Sequence, residues 1–220
     1  MNESWLTSSK RVLDPIERVS EILFGLIMVL TFTGSLSVAE AGREDVRTML
    51  VGALGCNIAW GVIDGVLYLM GCLAEKGRAL EAFVALRRSR DAAEAQRLIG
   101  NALPPLVASL LEPEQFAAIR TRLSALPEPV GPARLGGRDW LGAAAVFLLV
   151  FLSTFPVTIP FLFVDDATRA LRFSNAVAIA MMFVTGYAFG RAARRNAWIM
   201  GLAMVLLGGV LVALTIALGG

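Results

Sequence analysis

Charged residues are absent from four long stretches of this chain, Ile22 to Ala39, Trp140 to Val164, Phe173 to Gly190 and Asn196 to Gly220. A fifth, Thr48 to Ala74, is interrupted only by Asp64. Each meets or approaches the roughly 20 apolar residues that a membrane-spanning helix needs. Backbone polar groups in lipid can be satisfied only in helices or closed barrels, and the unbroken apolar runs lack the alternation of a barrel strand. The pattern predicts an all-α polytopic membrane protein with five transmembrane helices. Spans two and three are separated by a water-facing helical insert. The chain then divides into residues 1–74 (N-terminal segment and spans one and two), 75–138 (the insert) and 139–220 (spans three to five).

Within the insert, Glu75 to about Ile99 is rich in Ala, Leu and Arg, with Leu80, Phe83, Val84 and Leu98 available for a buried face. Leu103-Pro104-Pro105 punctuates it, because the residue before a proline is pushed out of the helical region. A second short helix is expected there. A third opens at Pro113 and carries Phe116, Ile119 and Leu123 on one face. Pro127, Pro129, Gly131, Pro132 and Gly136-Gly137 form the linker back to the membrane.

Composition agrees with a membrane protein: 56% of residues are hydrophobic, 17% are charged and the mean hydropathy is +0.68, whereas soluble domains carry about 25% charged residues. Sorting the 20 Lys and Arg by connecting segment puts 16 on one side and 4 on the other. By the positive-inside bias the N-terminus, the insert and the Arg191/Arg194/Arg195 loop are cytoplasmic and Gly220 lies outside. The net charge of +2 is therefore topogenic and no nucleic-acid signal. Asp14, Pro15 and Glu17 stand where a signal peptide would have its apolar core, so the first span is expected to stay in the membrane. Cys56 and Cys72 lie on one helix, too far apart to pair with each other.

The chain has no histidine, which removes most metal-hydrolase, triad and general-base schemes. No Walker loop, HExxH, paired CxxC or strand-borne GxGxxG is present, and no enzyme is expected. The polar residues inside the spans carry the chemistry instead. At about 100° per residue, Asn57, Gly61, Asp64 and Tyr68 share a narrow face of span two, with Trp60 beside them. An ionisable side chain at the bilayer centre costs about 2.5 to 3.5 kcal/mol on insertion scales and marks bundle interiors, ion routes or proton routes. Two roles fit Asp64: an ion or proton site, or a protonated or paired carboxyl that glues helices together. Gly61 and Gly65 let another helix approach closely.

On span one, Glu17, Glu21, Gly25, Met28 and Ser35 form a second stripe, in which Glu21 and Met28 offer a cation a hard oxygen and a softer thioether. A Glu in a first helical turn and a Met in a core also have ordinary structural roles. Pro156 and Pro160 in span three each delete a backbone donor, as kinked helices at transport sites do. On span four Gly186 and Gly190 form another small-residue pair, and Ser174, Met181 and Thr185 share a face.

These features resemble the vacuolar iron transporter family, in a divergent, bacterial-type form. The resemblance covers most of the chain: five spans with a cytoplasmic N-terminus, a cytoplasmic helical module between spans two and three, and a proline pair in span three. It extends to the short basic turn Gly190-Arg191-Ala192-Ala193-Arg194-Arg195-Asn196. The family's second-span pattern, Ser-Met-Gly followed by Glu, is similar to Ala59-Trp60-Gly61-Val62-Ile63-Asp64, with Trp60 in place of Met. Glu21 takes, by position only, the place of the family's first-span Asp.

The resemblance implies a dimeric transporter in the bacterial cytoplasmic membrane that exports a divalent cation, Fe2+ or Mn2+, in exchange for protons. Those ions are substrates, and no cofactor is expected. Asp64 would be the central ligand and proton carrier, helped by Asn57, Glu21, Met28 and Tyr68. Glu75, Glu81 and Glu94 would gather cations at the cytoplasmic mouth. The family's module is dense in Glu, whereas this insert has seven acids among ten bases. That balance keeps open a non-transporting oligomeric scaffold or regulator whose insert binds a cytosolic partner or anionic lipid. An ion channel is the third reading.

Overall fold

The computed structural model describes residues 13, 15–34, 43–89, 91–127 and 131–217. Among them there are only helices: α1 Pro15–Gly34, α2 Arg43–Arg88, α3 Ala92–Ala102, α4 Pro105–Leu110, α5 Pro113–Ser124, α6 Gly137–Ser153, α7 Phe155–Phe163, α8 Ala167–Ala192 and α9 Ala197–Ala217. They form two compact units. One is Leu69–Gly136, and the other comprises the described residues up to Tyr68 and from Gly137 onward.

Four helical stretches among the described residues are long and apolar enough to cross a bilayer: Val46–Arg88, Gly137–Phe163, Ala167–Ala192 and Ala197–Leu214. The expected first span begins in α1, where Glu17, Arg18 and Glu21 occupy the first two turns and the uncharged part runs from Ile22 to Gly34. Its outer end, Ser35 to Ala39, and Asp14 lie outside the described residues. At about 1.5 Å per residue, the 46 residues of α2 exceed the roughly 30 Å of hydrocarbon, so only part of α2 is a span.

In the apolar unit, Leu26, Val29 and Leu30 of α1 pack with Val157 of α7 and Ala178 and Met182 of α8. Met49 of α2 packs with Phe161 and Ala170. Large apolar side chains are left on the outside, among them Val51, Val66 and Leu67 of α2 and Leu206 of α9, as lipid requires and water would penalise. Helices α8 and α9 form a close hairpin through small residues. A Cβ on Gly186 would lie 2.6 Å from the Met200 carbonyl oxygen, and one on Gly190 would lie 2.7 Å from Ala197 Cα. Arg194 turns the chain between them with φ 53, and the Arg195 N–H donates back to the Gly190 carbonyl at 2.8 Å. The Asn196 carboxamide oxygen then accepts from the Trp198 and Ile199 N–H groups and starts α9.

The third apolar stretch is broken at Thr154, two residues before Pro156. Pro156 sits in the first turn of α7, where its missing N–H costs least, while Pro160 lies inside α7. The hydroxyls of Ser153, Thr154 and Thr158 donate to the carbonyls of Val150, Phe151 and Phe155 around the break. Ser174 of α8 donates to the Val157 carbonyl at 2.7 Å and ties the two helices together.

The other unit contains the end of α2 and helices α3, α4 and α5. The expected run from Glu75 to Ile99 is divided: α2 stops at Arg88, and Asp91 caps α3 by accepting from the Ala93 N–H at 3.2 Å. A short polar side chain that bonds its own backbone competes with helix continuation, which is the physical reason for the division. Pro105 and Pro113 open α4 and α5, and the Gln115 side chain accepts from the Glu112 N–H at 2.9 Å. Leu86, Ala95, Ile99 and Phe116 form the core, joined by Leu98, Leu103, Leu111, Ile119 and Leu123. Arg120 donates to the Ser89 carbonyl and Arg87 to the Leu126 carbonyl, closing the unit around its turns.

Candidate cation site

Helices α1 and α2 are antiparallel neighbours. Phe24 meets Trp60 edge to face, with ring centroids 5.4 Å apart, and three residues earlier on α1 the Glu21 carboxyl lies within electrostatic reach of Asp64. Of the five expected transport residues, Glu21 and Asp64 thus come within electrostatic reach of each other across α1 and α2, and Asn57 lies about two turns further along α2. The sequence placed the two acids on separate stripes of separate helices; the fold brings them near each other.

The α2 face is pressed against α6. A Cβ on Gly61 would come 2.9 Å from the Phe147 ring, and one on Gly65 would come 3.2 Å from the Ala143 carbonyl oxygen. Tyr68, the fifth, lays its ring against Gly142, where a side chain would collide with it. On the α1 side Gly25 is closed over by Ser153 and the Val150 carbonyl. A Cβ would collide with its surroundings at Gly25, Gly61 and Gly142, and at Gly65 it would crowd the Ala143 carbonyl.

Polarity inside this packing is incompletely satisfied. Asn57 is fully buried, and neither its Nδ2 nor its Oδ1 has a hydrogen-bond partner among the described residues. Asp64 is half-buried, with a buried and unpartnered Oδ2. An unmet buried polar group costs about 1 to 3 kcal/mol, and in a native protein it calls for an explanation such as an unseen ion or water. On α8, Asn175 has a buried Oδ1 without a partner. The sequence reading missed Asn175, whose only signal was a carboxamide inside the uncharged fourth span, next to Ser174.

The remaining expected ligands are elsewhere. Glu75, Glu81 and Glu94 belong to the other unit and are exposed. Among the described residues, no three His, Cys, Asp or Glu side chains gather as a cation cage. The arrangement that exists is a pair of carboxyls within electrostatic reach of each other, with a buried carboxamide about two turns away on α2 that has no partner among the described residues, beside glycine-mediated helix contacts.

A polytopic helical membrane protein with a paired-carboxyl polar seam between two of its helices is the class that fold and site define. A family model described as the VIT family matches residues 82–220, and the chain belongs to that family, the vacuolar iron transporter family of membrane metal transporters. No curated protein matches it. The matched stretch includes most of the Leu69–Gly136 unit and α6 to α9, and begins after Glu21, Asn57 and Asp64.

Proposed function

We propose that the protein exports a divalent transition metal, Fe2+ or Mn2+, from the cytoplasm in exchange for protons, through the seam between α1 and α2. The observation that supports this reading is that Glu21 and Asp64 lie within electrostatic reach of each other among apolar helices, with Asn57, unpartnered among the described residues, about two turns further along α2. Two carboxylates held together in a low-dielectric layer repel one another, and a divalent cation between them removes the repulsion and meets their lone pairs. The Asn57 oxygen, about two turns further along α2, offers a hard donor at another level of the ion's path. The Met28 sulfur, about two turns beyond Glu21 on α1, offers the path a softer donor, which suits Fe2+ over Mg2+ or Ca2+. Protons and the cation compete for the same carboxyl oxygens, so cation release on one side of the membrane coincides with proton uptake. That competition is the physical basis of antiport.

In this reading α1 completes a set of five spans, with the N-terminus and residues 75–138 in the cytoplasm and Gly220 outside. Residues 1–74 and 139–220 form the membrane part. The protein acts as a dimer, because two carboxyls leave a cation well short of six ligands and a second copy or water must supply the rest. Glu75, Glu81 and Glu94 serve as weak collectors at the cytoplasmic mouth. Their exposure and separation favour a second reading for the insert, that of a regulatory or scaffolding module.

The test is metal flux into liposomes loaded with a metal-sensitive dye, with Fe2+, Mn2+, Co2+ and Zn2+ compared under an imposed pH gradient. Flux of Fe2+ or Mn2+ that requires both the gradient and Asp64, and that Asp64→Asn abolishes while leaving the protein folded, is the expected result. Absence of flux with every ion from correctly inserted protein would leave the scaffold reading in its place.

A further inference from the structure

Helix α4 is unlike every other helix of its unit: none of its residues is buried, and Leu106 and Leu110 are each 73% exposed, with Val107 at 43%. Its orientation is not accidental. Leu103 before it and Leu111 after it both pack on the unit's core, and this anchoring at both ends holds the three apolar side chains outward.

The position of α4 along the unit follows from the same contacts. The apolar run of α2 ends at Ala74 and polar sequence begins at Glu75, so the Glu75 end of the unit is the end at the membrane surface. Helix α3 returns toward that end. Ala102 and Leu103 line the same cavity of about 560 Å³ as Glu75 and Ala79, and α4 starts two residues beyond Leu103. Basic groups collect there too. Lys76 donates to the Arg134 carbonyl at 3.3 Å, and the side chains of Arg78 and Arg134 are exposed. An exposed apolar triplet beside a basic collar at headgroup level is the chemistry of interfacial attachment to an anionic leaflet.

We propose that α4 is a lipid-surface anchor. Leu106, Val107 and Leu110 enter the boundary between headgroups and acyl chains of the cytoplasmic leaflet, and Lys76, Arg78 and Arg134 engage anionic phosphates beside them. The anchor holds the water-facing unit against the bilayer. It is independent of which ion the protein carries.

The experiment uses the full chain with Cys56→Ser and Cys72→Ser. An environment-sensitive fluorophore is placed at Leu106→Cys or Leu110→Cys, and at Ala93→Cys on exposed surface at the opposite end of α3. Each labelled protein is reconstituted in phosphatidylcholine liposomes with or without phosphatidylglycerol, and quenching by nitroxide-bearing lipids is measured. The expected result is a blue-shifted, quenched signal at 106 and 110 that strengthens with phosphatidylglycerol, and an aqueous signal at 93. Near an anionic leaflet each basic residue contributes a factor of roughly five. Arg78→Gln with Arg134→Gln should therefore lower the docked-to-undocked ratio roughly thirtyfold. Aqueous signals at both 106 and 110 in both liposomes would overturn the proposal. So would shielding that rises with protein-to-lipid ratio and ignores phosphatidylglycerol, since that is the behaviour of a surface covered by a second copy.

Discussion

Asn57→Ala should make the protein more stable and less able to bind metal. The carboxamide is fully buried and neither of its polar atoms has a partner among the described residues. Removing such a group recovers about 1 to 3 kcal/mol of desolvation. Alanine adds roughly 0.6 kcal/mol of helix propensity. Against this, the truncation leaves a void on the order of 30 Å³, which at about 24 cal/mol per Å³ costs roughly 0.7 kcal/mol. The balance is a stabilisation of about 1 to 3 kcal/mol, or a rise in Tm on the order of 2 to 12 °C for a chain of this size. Thermal unfolding in detergent without metal measures it. Repeating the melt with Mn2+ separates the two roles: wild type should gain stability from the ion, and the variant should gain much less. A variant that melts below wild type without metal would show that the amide is satisfied in the fold, and the reasoning from its unmet hydrogen bonds would fail.

Two further substitutions probe the packing that encloses the seam. Gly61→Val puts a branched side chain where even a Cβ comes 2.9 Å from the Phe147 ring; forcing α2 off α6 should cost about 1 to 3 kcal/mol, read as a lower Tm together with lost flux. Ser174→Ala removes the hydroxyl that donates to the Val157 carbonyl and should cost about 0.6 to 1.7 kcal/mol, measured by unfolding in mixed micelles, with a larger effect on flux if α7 must hold its position beside the break at Thr154.

The helices were legible because apolar run length and proline position are local signals. Leu103-Pro104-Pro105 and Pro113 marked the starts of α4 and α5 within a residue or two, and Phe116, Ile119 and Leu123 were found on the face that packs. The division at Ser89 was not legible, because it depends on a single Asp91 side chain choosing its own backbone over a continuing helix. The stripes of α1 and α2 could be drawn from periodicity, but their facing could not. Register between two helices far apart in sequence is fixed by shape, here by Phe24 against Trp60 and by glycines whose neighbours no periodicity reveals. Asn175 was passed over for a related reason: one carboxamide in an apolar span is conspicuous only once its burial is known.

The family match begins at residue 82, so the seam must be tested on its own chemistry, and the sharpest test is whether Glu21 and Asp64 act as one group. If a single cation bridges them, either Glu21→Gln or Asp64→Asn removes the bridge, and the second substitution has little left to remove. Mn2+ affinity measured for wild type, both single variants and the double variant should then be strongly non-additive, with a coupling energy on the order of 0.5 to 3 kcal/mol. The apo proteins should show the complementary effect. Neutralising either carboxyl relieves the repulsion between them, so both single variants should melt higher than wild type without metal, while the double variant gains little beyond either one. Affinity losses that simply add would mean two independent carboxyls that happen to be near each other. The seam would then be helix packing with acids in it, and the transported ion would have to pass elsewhere.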